Sequence, residues 1–380
     1  MSKKHFHQNT FCSLPFTEIF LYPNGDIKPC CSASLPLGNL NDNTIETILQ
    51  SKTAKDVRQY ILDGKWHPLC SQCKRQETQG ARSERQPEYS NVLKDLELTA
   101  STFKLERIDL RWSNTCNLSC VYCYEGFSSK WASIKGIAFN DVKKTGEESL
   151  LNFIKENIES VDIVMLLGGE PLLQKQNLTL IDILSTVGFY CLTNLSVPMK
   201  TNKIAQKLLT REAATKFGVS IETIGDKFEY VRRNASWELL VDNVKYFNEM
   251  QRPLEAHSLY SIYSAFNLVE FYDFILEHNF ENIFWNLLEN TGENCNASVF
   301  RLPRALREKA IQEIDRCVEK YKGEIGIDQL EIYKNNLINV TSPPATEYFL
   351  DEIKSLELLQ PYHKTFKDIW PSLYKGLIKC

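Results

Sequence analysis

Three closely spaced cysteines constrain this chain of 380 residues more than any other feature. Cys116, Cys120 and Cys123 follow the pattern C-x3-C-x2-C. Three thiolates so near one another cannot all pair as disulfides, but they can converge on one metal centre. An iron–sulfur cluster usually takes four cysteine ligands, so three ligands would leave one iron open for a substrate or cofactor. The motif therefore indicates an enzyme rather than an electron carrier.

This motif resembles that of the radical S-adenosylmethionine (SAM) enzymes, and Tyr122 matches the aromatic residue that the family places before its third cysteine. The resemblance implies a [4Fe-4S] cluster whose open iron binds SAM. It also implies that SAM is cleaved to a 5′-deoxyadenosyl radical, which abstracts hydrogen from a substrate, and that Tyr122 lies near the adenine. A zinc site is the alternative, but zinc needs a fourth ligand and no histidine follows within the next dozen residues.

Gly168, Gly169 and Glu170 follow a nearly continuous apolar run at 160–167, which predicts a buried parallel strand. Glycines at the end of a strand let the backbone approach a ligand closely. The three residues resemble the GGE motif of the family. That resemblance implies that their backbone and the glutamate hold the amino group of SAM.

Three later residues also resemble SAM-binding positions of the family. Ser220 and Glu222 lie at the end of a predicted strand, and their counterparts lie near the ribose and methionine of SAM. Arg232 resembles an arginine that pairs with the SAM carboxylate, a role that suits bidentate guanidinium geometry. An ordinary strand serine and a solvated surface arginine are the alternatives. Asn267 matches a further recurring position, and no general acid or base is identified.

Predicted strands alternate with amphipathic segments, for example the segment at 147–158. The strands are expected at 107–112, 161–167, 188–193, 217–222, 255–262 and 282–288. This alternation predicts an α/β fold with a parallel sheet and right-handed crossovers. Six such units match the partial (β/α)6 barrel of the radical SAM family.

A second set of cysteines, Cys12, Cys30, Cys70 and Cys73, lies near the start of the chain. A β-hairpin predicted at 18–28, with an Asn-Gly turn, would bring the first two together. The pattern resembles the auxiliary-cluster domains called SPASM and twitch, which implies one auxiliary [4Fe-4S] cluster as in the twitch form. Cys31 could replace Cys30 as a ligand, and a structural zinc site is the alternative. In most relatives this domain follows the barrel, whereas here it precedes it.

These motifs predict a small α+β auxiliary-cluster domain at 1–90, the barrel at 91–300 and a helical extension at 301–380. A polar segment at 78–87 reads as a linker. A turn-rich loop at 289–296 contains Glu289 and Cys295, and Cys191 is expected in the core.

Composition and charge argue against several classes of protein. No apolar stretch is long enough to span a bilayer, and the polar N-terminus is not a signal peptide. Twelve cysteines without a secretory signal favour metal ligation in a reducing cytoplasm over disulfides. The net charge of -4 gives no basic footprint for nucleic acid.

The resemblance leaves three functions open. The first is a maturase that crosslinks, epimerises or excises part of a ribosomally made peptide, with a separate leader-binding protein. The second is a radical dehydrogenase or related enzyme that acts on a small molecule such as an amino sugar. The third is a non-catalytic iron–sulfur protein, against which the cysteine triad and the Gly-Gly-Glu sequence argue. For an enzyme, an external electron donor such as flavodoxin or ferredoxin is expected.

Overall fold

The computed structural model describes residues 10–78, 83–86, 93, 96–288, 297–340 and 347–378. The loop predicted at 289–296, half of the predicted linker and Cys380 lie outside the described residues. The chain forms two compact units, which are described separately. Unit 1 comprises Met1–Thr115, Ala138–Cys191 and Thr210–Thr215, and unit 2 comprises Cys116–Ile137, Leu192–Leu209 and Lys216–Cys380.

All six predicted barrel strands are present, together with three short strands near the N-terminus. The strands are β1 Glu18–Leu21, β2 Asp26–Lys28, β3 Gly38–Asn39, β4 Arg107–Leu110, β5 Ile163–Leu166, β6 Gly188–Thr193, β7 Thr215–Ser220, β8 Leu254–Tyr260 and β9 Asn282–Leu287. The strands of the predicted barrel pair in parallel within each unit. The predicted α/β class with a parallel sheet is therefore confirmed.

The helices separate most of these strands and form the C-terminal part of the chain. They are α1 Leu14–Thr17, α2 Ile45–Leu49, α3 Lys52–Leu62, α4 Ser71–Thr78, α5 Ser129–Lys135, α6 Lys144–Glu156, α7 Gln176–Ile183, α8 Lys203–Thr210, α9 Gly225–Val231, α10 Trp237–Glu249, α11 Leu268–Glu277, α12 Arg304–Lys320, α13 Ile327–Ile338, α14 Glu347–Leu359, α15 Phe366–Ile369 and α16 Pro371–Leu377. No helix in the described part of the chain has the length and apolar character needed to cross a bilayer.

The predicted amphipathic segment at 147–158 forms α6, which begins earlier, at Lys144, and ends at Glu156. Leu150 and Ile154 are fully buried, as the pattern predicts. Ile158 is only partly buried because it lies beyond the helix, in a short 3-10 turn that follows Asn157.

In unit 1 the N-terminal hairpin extends the parallel sheet. β1 pairs antiparallel with β2, as predicted, and Gly25 in the turn has a φ of 92°, which favours glycine. The other edge of β1 pairs in parallel with β4, so Ile19 lies beside Ile108 and Phe20 beside Asp109. The hairpin that carries Cys30 at its end is therefore built into the same sheet as the first barrel strand.

The two faces of the unit 1 sheet differ in polarity. One face is apolar and fully buried, and it includes Ile19, Ile108 and Val164 in register. The opposite face carries charged side chains, among them Arg107 and Asp109. Burial raises the pKa of the Asp109 carboxyl to about 6, while the nearby Arg111 opposes this shift.

In unit 2, β8 lies between β7 and β9, and residues in register share a face of the sheet. Val219, Ala256 and Ile283 form a buried apolar row on one face. The outer edge of β9 is covered by α13, because Gln329 accepts a hydrogen bond from the backbone N–H of Trp285 (2.9 Å) and Tyr333 donates to its carbonyl (2.8 Å).

Candidate functional site

The three central cysteines lie in an irregular segment of unit 2, residues 116–123, called the cysteine loop below. Cys116, Cys120 and Cys123 are each partly buried. Burial raises the pKa of Cys120 and raises that of Cys123 to about 12. Binding of a metal centre to these thiols would therefore release protons. The side-chain amide of Asn194, which directly follows β6, lies 3.8 Å from the Cys116 sulfur.

Hydrogen bonds from neighbouring elements hold the backbone of the cysteine loop. The N–H of Val121 donates to the carbonyl of Val231 at the end of α9 (2.8 Å). The indole of Trp131 in α5 donates to the carbonyl of Cys120 (2.9 Å). Ser128, the N-cap of α5, donates to the carbonyl of Leu118 (2.6 Å). These contacts give the loop a defined shape.

Tyr122 of the cysteine loop, Glu222 and Arg232 form a chain of hydrogen bonds. The Tyr122 hydroxyl donates to one carboxylate oxygen of Glu222 (2.5 Å), and Arg232 donates to the other (2.6 Å). The Glu222 side chain is fully buried and that of Arg232 is 6% exposed. The sequence placed these residues at one site but did not predict that they bond one another. Arg232 is not a surface charge, which excludes that alternative.

Ser220 and Asn267 also lie in unit 2, Ser220 in β7 and Asn267 at the N-cap of α11. Ser220 is partly buried at the last position of β7. Asn267 is 2% exposed, and neither its amide nitrogen nor its amide oxygen has a hydrogen-bond partner among the described residues. A buried amide with both groups unsatisfied is costly unless a ligand or water completes it.

In unit 1 the Gly-Gly-Glu segment follows β5 and lies against the residue that precedes the cysteine loop. The N–H of Glu170 donates to the carbonyl of Thr115 (2.8 Å). A Cβ atom on Gly169 would lie 2.2 Å from the same carbonyl oxygen, and Gly168 has a φ of 112°. The Glu170 carboxylate is fully buried and accepts a hydrogen bond from the N–H of Leu172 (3.1 Å).

We expect Gly169→Ala to destabilise unit 1, because the added methyl group meets backbone that cannot rotate away. Overpacking of this kind costs about 1–3 kcal/mol. The matched control is Gly188→Ala, where the nearest atom would be 3.5 Å from the new Cβ. Urea unfolding of the two variants should show a clear loss of free energy of unfolding only for the first. Equal stabilities would contradict the close approach.

The four N-terminal cysteines converge in unit 1. Cys12, Cys30, Cys70 and Cys73 line one pocket, together with apolar residues that include Leu14 and Ile61. Burial, followed by the nearby thiols of Cys70 and Cys73, raises the pKa of Cys12. Burial likewise raises the pKa of Cys70 to about 11. The predicted meeting of Cys12 and Cys30 is therefore seen in the structure.

Cys31 lies outside this pocket. Its side chain is exposed, and its sulfur lies 3.8 Å from the hydroxyl of Ser32. Glu84 and Asp109 are among the charges that act on the Cys31 thiol, whereas Cys12 acts on the Cys30 thiol. The geometry thus favours Cys30 over Cys31 as a ligand.

The N-terminal cysteines supply the donor set that an iron–sulfur cluster usually takes, four thiols that line one pocket. A four-iron cluster has its ligands spread around it, whereas a structural zinc ion draws four ligands to about 2.0–2.3 Å.

The sequence did not identify His257 and Phe284. The register places them beside Ser220 on one face of β7, β8 and β9, with the His257 and Phe284 rings 5.0 Å apart. Burial lowers the pKa of His257, so its imidazole is neutral near pH 7. The alternation of polar and apolar residues along β8 was a signal for this face, but only the register of the strands shows its neighbours.

Family models match two parts of the chain. The model of the Radical SAM superfamily matches residues 110–271, and that of the SPASM iron–sulfur cluster-binding domain matches residues 12–74. A curated relative, 7-carboxy-7-deazaguanine synthase of Clostridium acetobutylicum, is 44% identical over 72 residues. That stretch covers 18% of this chain and 28% of the relative.

Solved structures of similar proteins include SuiB of Streptococcus suis bound to S-adenosylmethionine, with 16% identity and a TM-score of 0.43. The alignment covers 74% of this chain and 63% of SuiB. Another is anSMEcpe with bound AdoMet and a Kp18Cys peptide, with 14% identity and a TM-score of 0.43. That alignment covers 68% of this chain and 67% of the other.

Proposed function

The chain is a radical SAM enzyme with a SPASM iron–sulfur domain, and on this premise we propose that it abstracts hydrogen from a ribosomally made peptide. Its cofactors are a SAM-binding [4Fe-4S] cluster, SAM and an auxiliary iron–sulfur cluster. When bound, the first cluster and SAM supply a 5′-deoxyadenosyl radical, which attacks C–H bonds that no side chain can attack.

We assign the cysteine loop to the SAM-binding cluster. The observation that carries this assignment is the convergence in unit 2 of the loop, through its Tyr122, with Glu222 and Arg232, which the sequence predicted as site residues from two other segments. Ser220 and the unsatisfied amide of Asn267 are assigned to SAM. In unit 1, the backbone of Gly168–Glu170 is assigned to SAM because these residues resemble the GGE motif of the family.

We assign the pocket of Cys12, Cys30, Cys70 and Cys73 to the auxiliary cluster.

We assign the sheet face that carries His257 and Phe284 to the substrate. This face combines an aromatic ring with a neutral imidazole, and His257 lies in register with Ser220. His257 can accept a hydrogen bond or a proton from a substrate N–H or O–H group.

The peptide proposal rests on the combination of the two domains, which peptide maturases that this chain resembles also have. A peptide would have to lie across the polar face of β7–β9, because α13 covers the edge of β9 that an added strand would need. The separate leader-binding protein, the external electron donor, the cytoplasmic location and the domain boundaries at 90 and 300 remain predictions.

A small-molecule substrate is the second candidate. Two observations favour it: the covered edge of β9 and the short stretch of 44% identity with an enzyme named for its deazaguanine product. A closed pocket that excludes a peptide would be expected in that case.

The deciding experiment is anaerobic co-expression with each short reading frame encoded beside the gene, followed by mass spectrometry of the peptides. Loss of two hydrogens would mean crosslinking or dehydrogenation, and loss of a residue-sized fragment would mean backbone excision. Epimerisation would appear as deuterium gained when expression is carried out in D2O. Unchanged peptides with 5′-deoxyadenosine still formed would support the small-molecule candidate. Failure of the purified, cluster-loaded protein to cleave SAM would support the non-catalytic alternative.

A further inference from the structure

The buried ion pair between Glu222 and Arg232 is unusual because it lies directly against a cysteine of the loop. The backbone N–H groups on either side of Cys120 donate to the carbonyls of Arg233 and Val231, on either side of Arg232, so Cys120 and Arg232 lie opposite one another. Burying two charges costs free energy, and replacing a buried ion pair by well-packed apolar residues is often neutral or stabilising. Stability alone therefore does not account for this pair.

One donor of Arg232 remains unsatisfied. Its Nη2 donates to Glu222, but its Nε–H is buried and has no hydrogen-bond partner among the described residues. A buried unpaired N–H costs free energy unless an acceptor arrives. A thiolate is a much better acceptor than a thiol, so Cys120 becomes suited to this N–H once it ligates a cluster.

We propose that Arg232 donates a hydrogen bond to the sulfur of Cys120 and so sets the reduction potential of the cluster, with Glu222 as the residue that positions and partly neutralises it. This inference rests on the proposed assignment of the cysteine loop to a cluster. Hydrogen bonds to cluster sulfurs and the net charge nearby are main determinants of cluster potential. The role is distinct from pairing with the SAM carboxylate, because it acts before SAM binds.

The sign of each effect follows from charge. Reduction adds an electron, so a donor and positive charge at the sulfur favour the reduced cluster and raise its potential. Arg232→Lys keeps the positive charge but removes the Nε–H, so it should lower the potential. Glu222→Gln keeps an acceptor for Arg232 but removes the negative charge, so it should raise the potential.

The test is a redox titration of the cluster-loaded full-length protein without SAM, followed by electron paramagnetic resonance. The reduction step compared between variants is the one whose electron paramagnetic resonance signal changes when SAM is added after the titration. We expect shifts of opposite sign for the two variants, each corresponding to a threefold to tenfold change in the reduction equilibrium, up to about 59 mV for one electron. Arg304→Gln and Glu308→Gln, which alter an exposed Arg–Glu pair, should leave the potential unchanged.

Tyr122→Phe provides a further test if either buried variant fails to load its cluster. It removes one hydrogen bond from Glu222, leaves more negative charge facing Arg232, and should lower the potential. Unchanged potentials, or shifts of the same sign for Arg232→Lys and Glu222→Gln, would overturn the inference. A wild-type protein with no signal that responds to SAM would instead contradict the proposed function.

Discussion

Cys120→Ala is expected to abolish cleavage of SAM. The cluster at the cysteine loop has three protein ligands, and loss of one leaves too few to hold an iron that must also keep an open site. We expect 5′-deoxyadenosine formation to fall by about 10³-fold or more, because no side chain substitutes for the cofactor chemistry. Iron should fall from about eight to about four atoms per chain, since the auxiliary [4Fe-4S] cluster is held elsewhere.

The matched control is Cys317→Ala, which removes a fully buried thiol from α12, outside both cysteine sets. Its expected cost is a modest loss of stability with iron content and SAM cleavage retained. For both variants, 5′-deoxyadenosine is measured by liquid chromatography, and cluster content is measured by iron and sulfide assays. Full SAM cleavage by Cys120→Ala would show that the cysteine loop is not the SAM-binding site.

The sequence predicted the order of the barrel strands because each is a short apolar run followed by a polar segment. The strand predicted at 282–288 is observed as β9 Asn282–Leu287, and that predicted at 188–193 as β6 Gly188–Thr193. Local patterns of this kind depend on a strand being buried on at least one face, which holds for every barrel strand here. The hairpin near the N-terminus was predictable for a similar reason, since its turn requires residues that tolerate positive φ.

Long-range pairing was not predictable from such patterns. β1 lies beside β4, although Glu18 and its partner Arg107 are far apart in the chain. The cover of the β9 edge by Gln329 and Tyr333 likewise depends on where α13 packs. Both features result from tertiary packing, for which a single sequence carries no periodic signal.

The candidate site was likewise predictable only in part. Motif spacing identified Glu222 and Arg232 individually, but only the structure shows that they bond each other and that Arg232 lies opposite Cys120. His257 lies in no motif, and its position beside Ser220 depends on strand register. A site residue that belongs to a motif could thus be identified from the sequence. A site residue whose role depends on its neighbours in the fold could not.

Cys30→Ser and Cys31→Ser are expected to differ sharply, although the two residues are adjacent. The Cys30 side chain lines the pocket shared with Cys12, Cys70 and Cys73, while the Cys31 side chain is exposed and lies near Glu84. Because Cys31 lies in a turn and its side chain is outside the pocket, it cannot replace Cys30 without a local rearrangement. The first variant should lose about four iron atoms per chain, and the second should lose none.

The two variants are matched, because each replaces one sulfur by oxygen at neighbouring positions. Iron and sulfide assays on anaerobically loaded protein measure the difference directly, and the SAM-responsive signal of the other cluster should persist in both. We also expect Cys30→Ser to keep at least part of its SAM cleavage without substrate, because the cysteine loop is intact. Loss of iron from Cys31→Ser, with full iron in Cys30→Ser, would reverse the assignment. Full iron in both variants would mean that the pocket in unit 1 does not hold the auxiliary cluster.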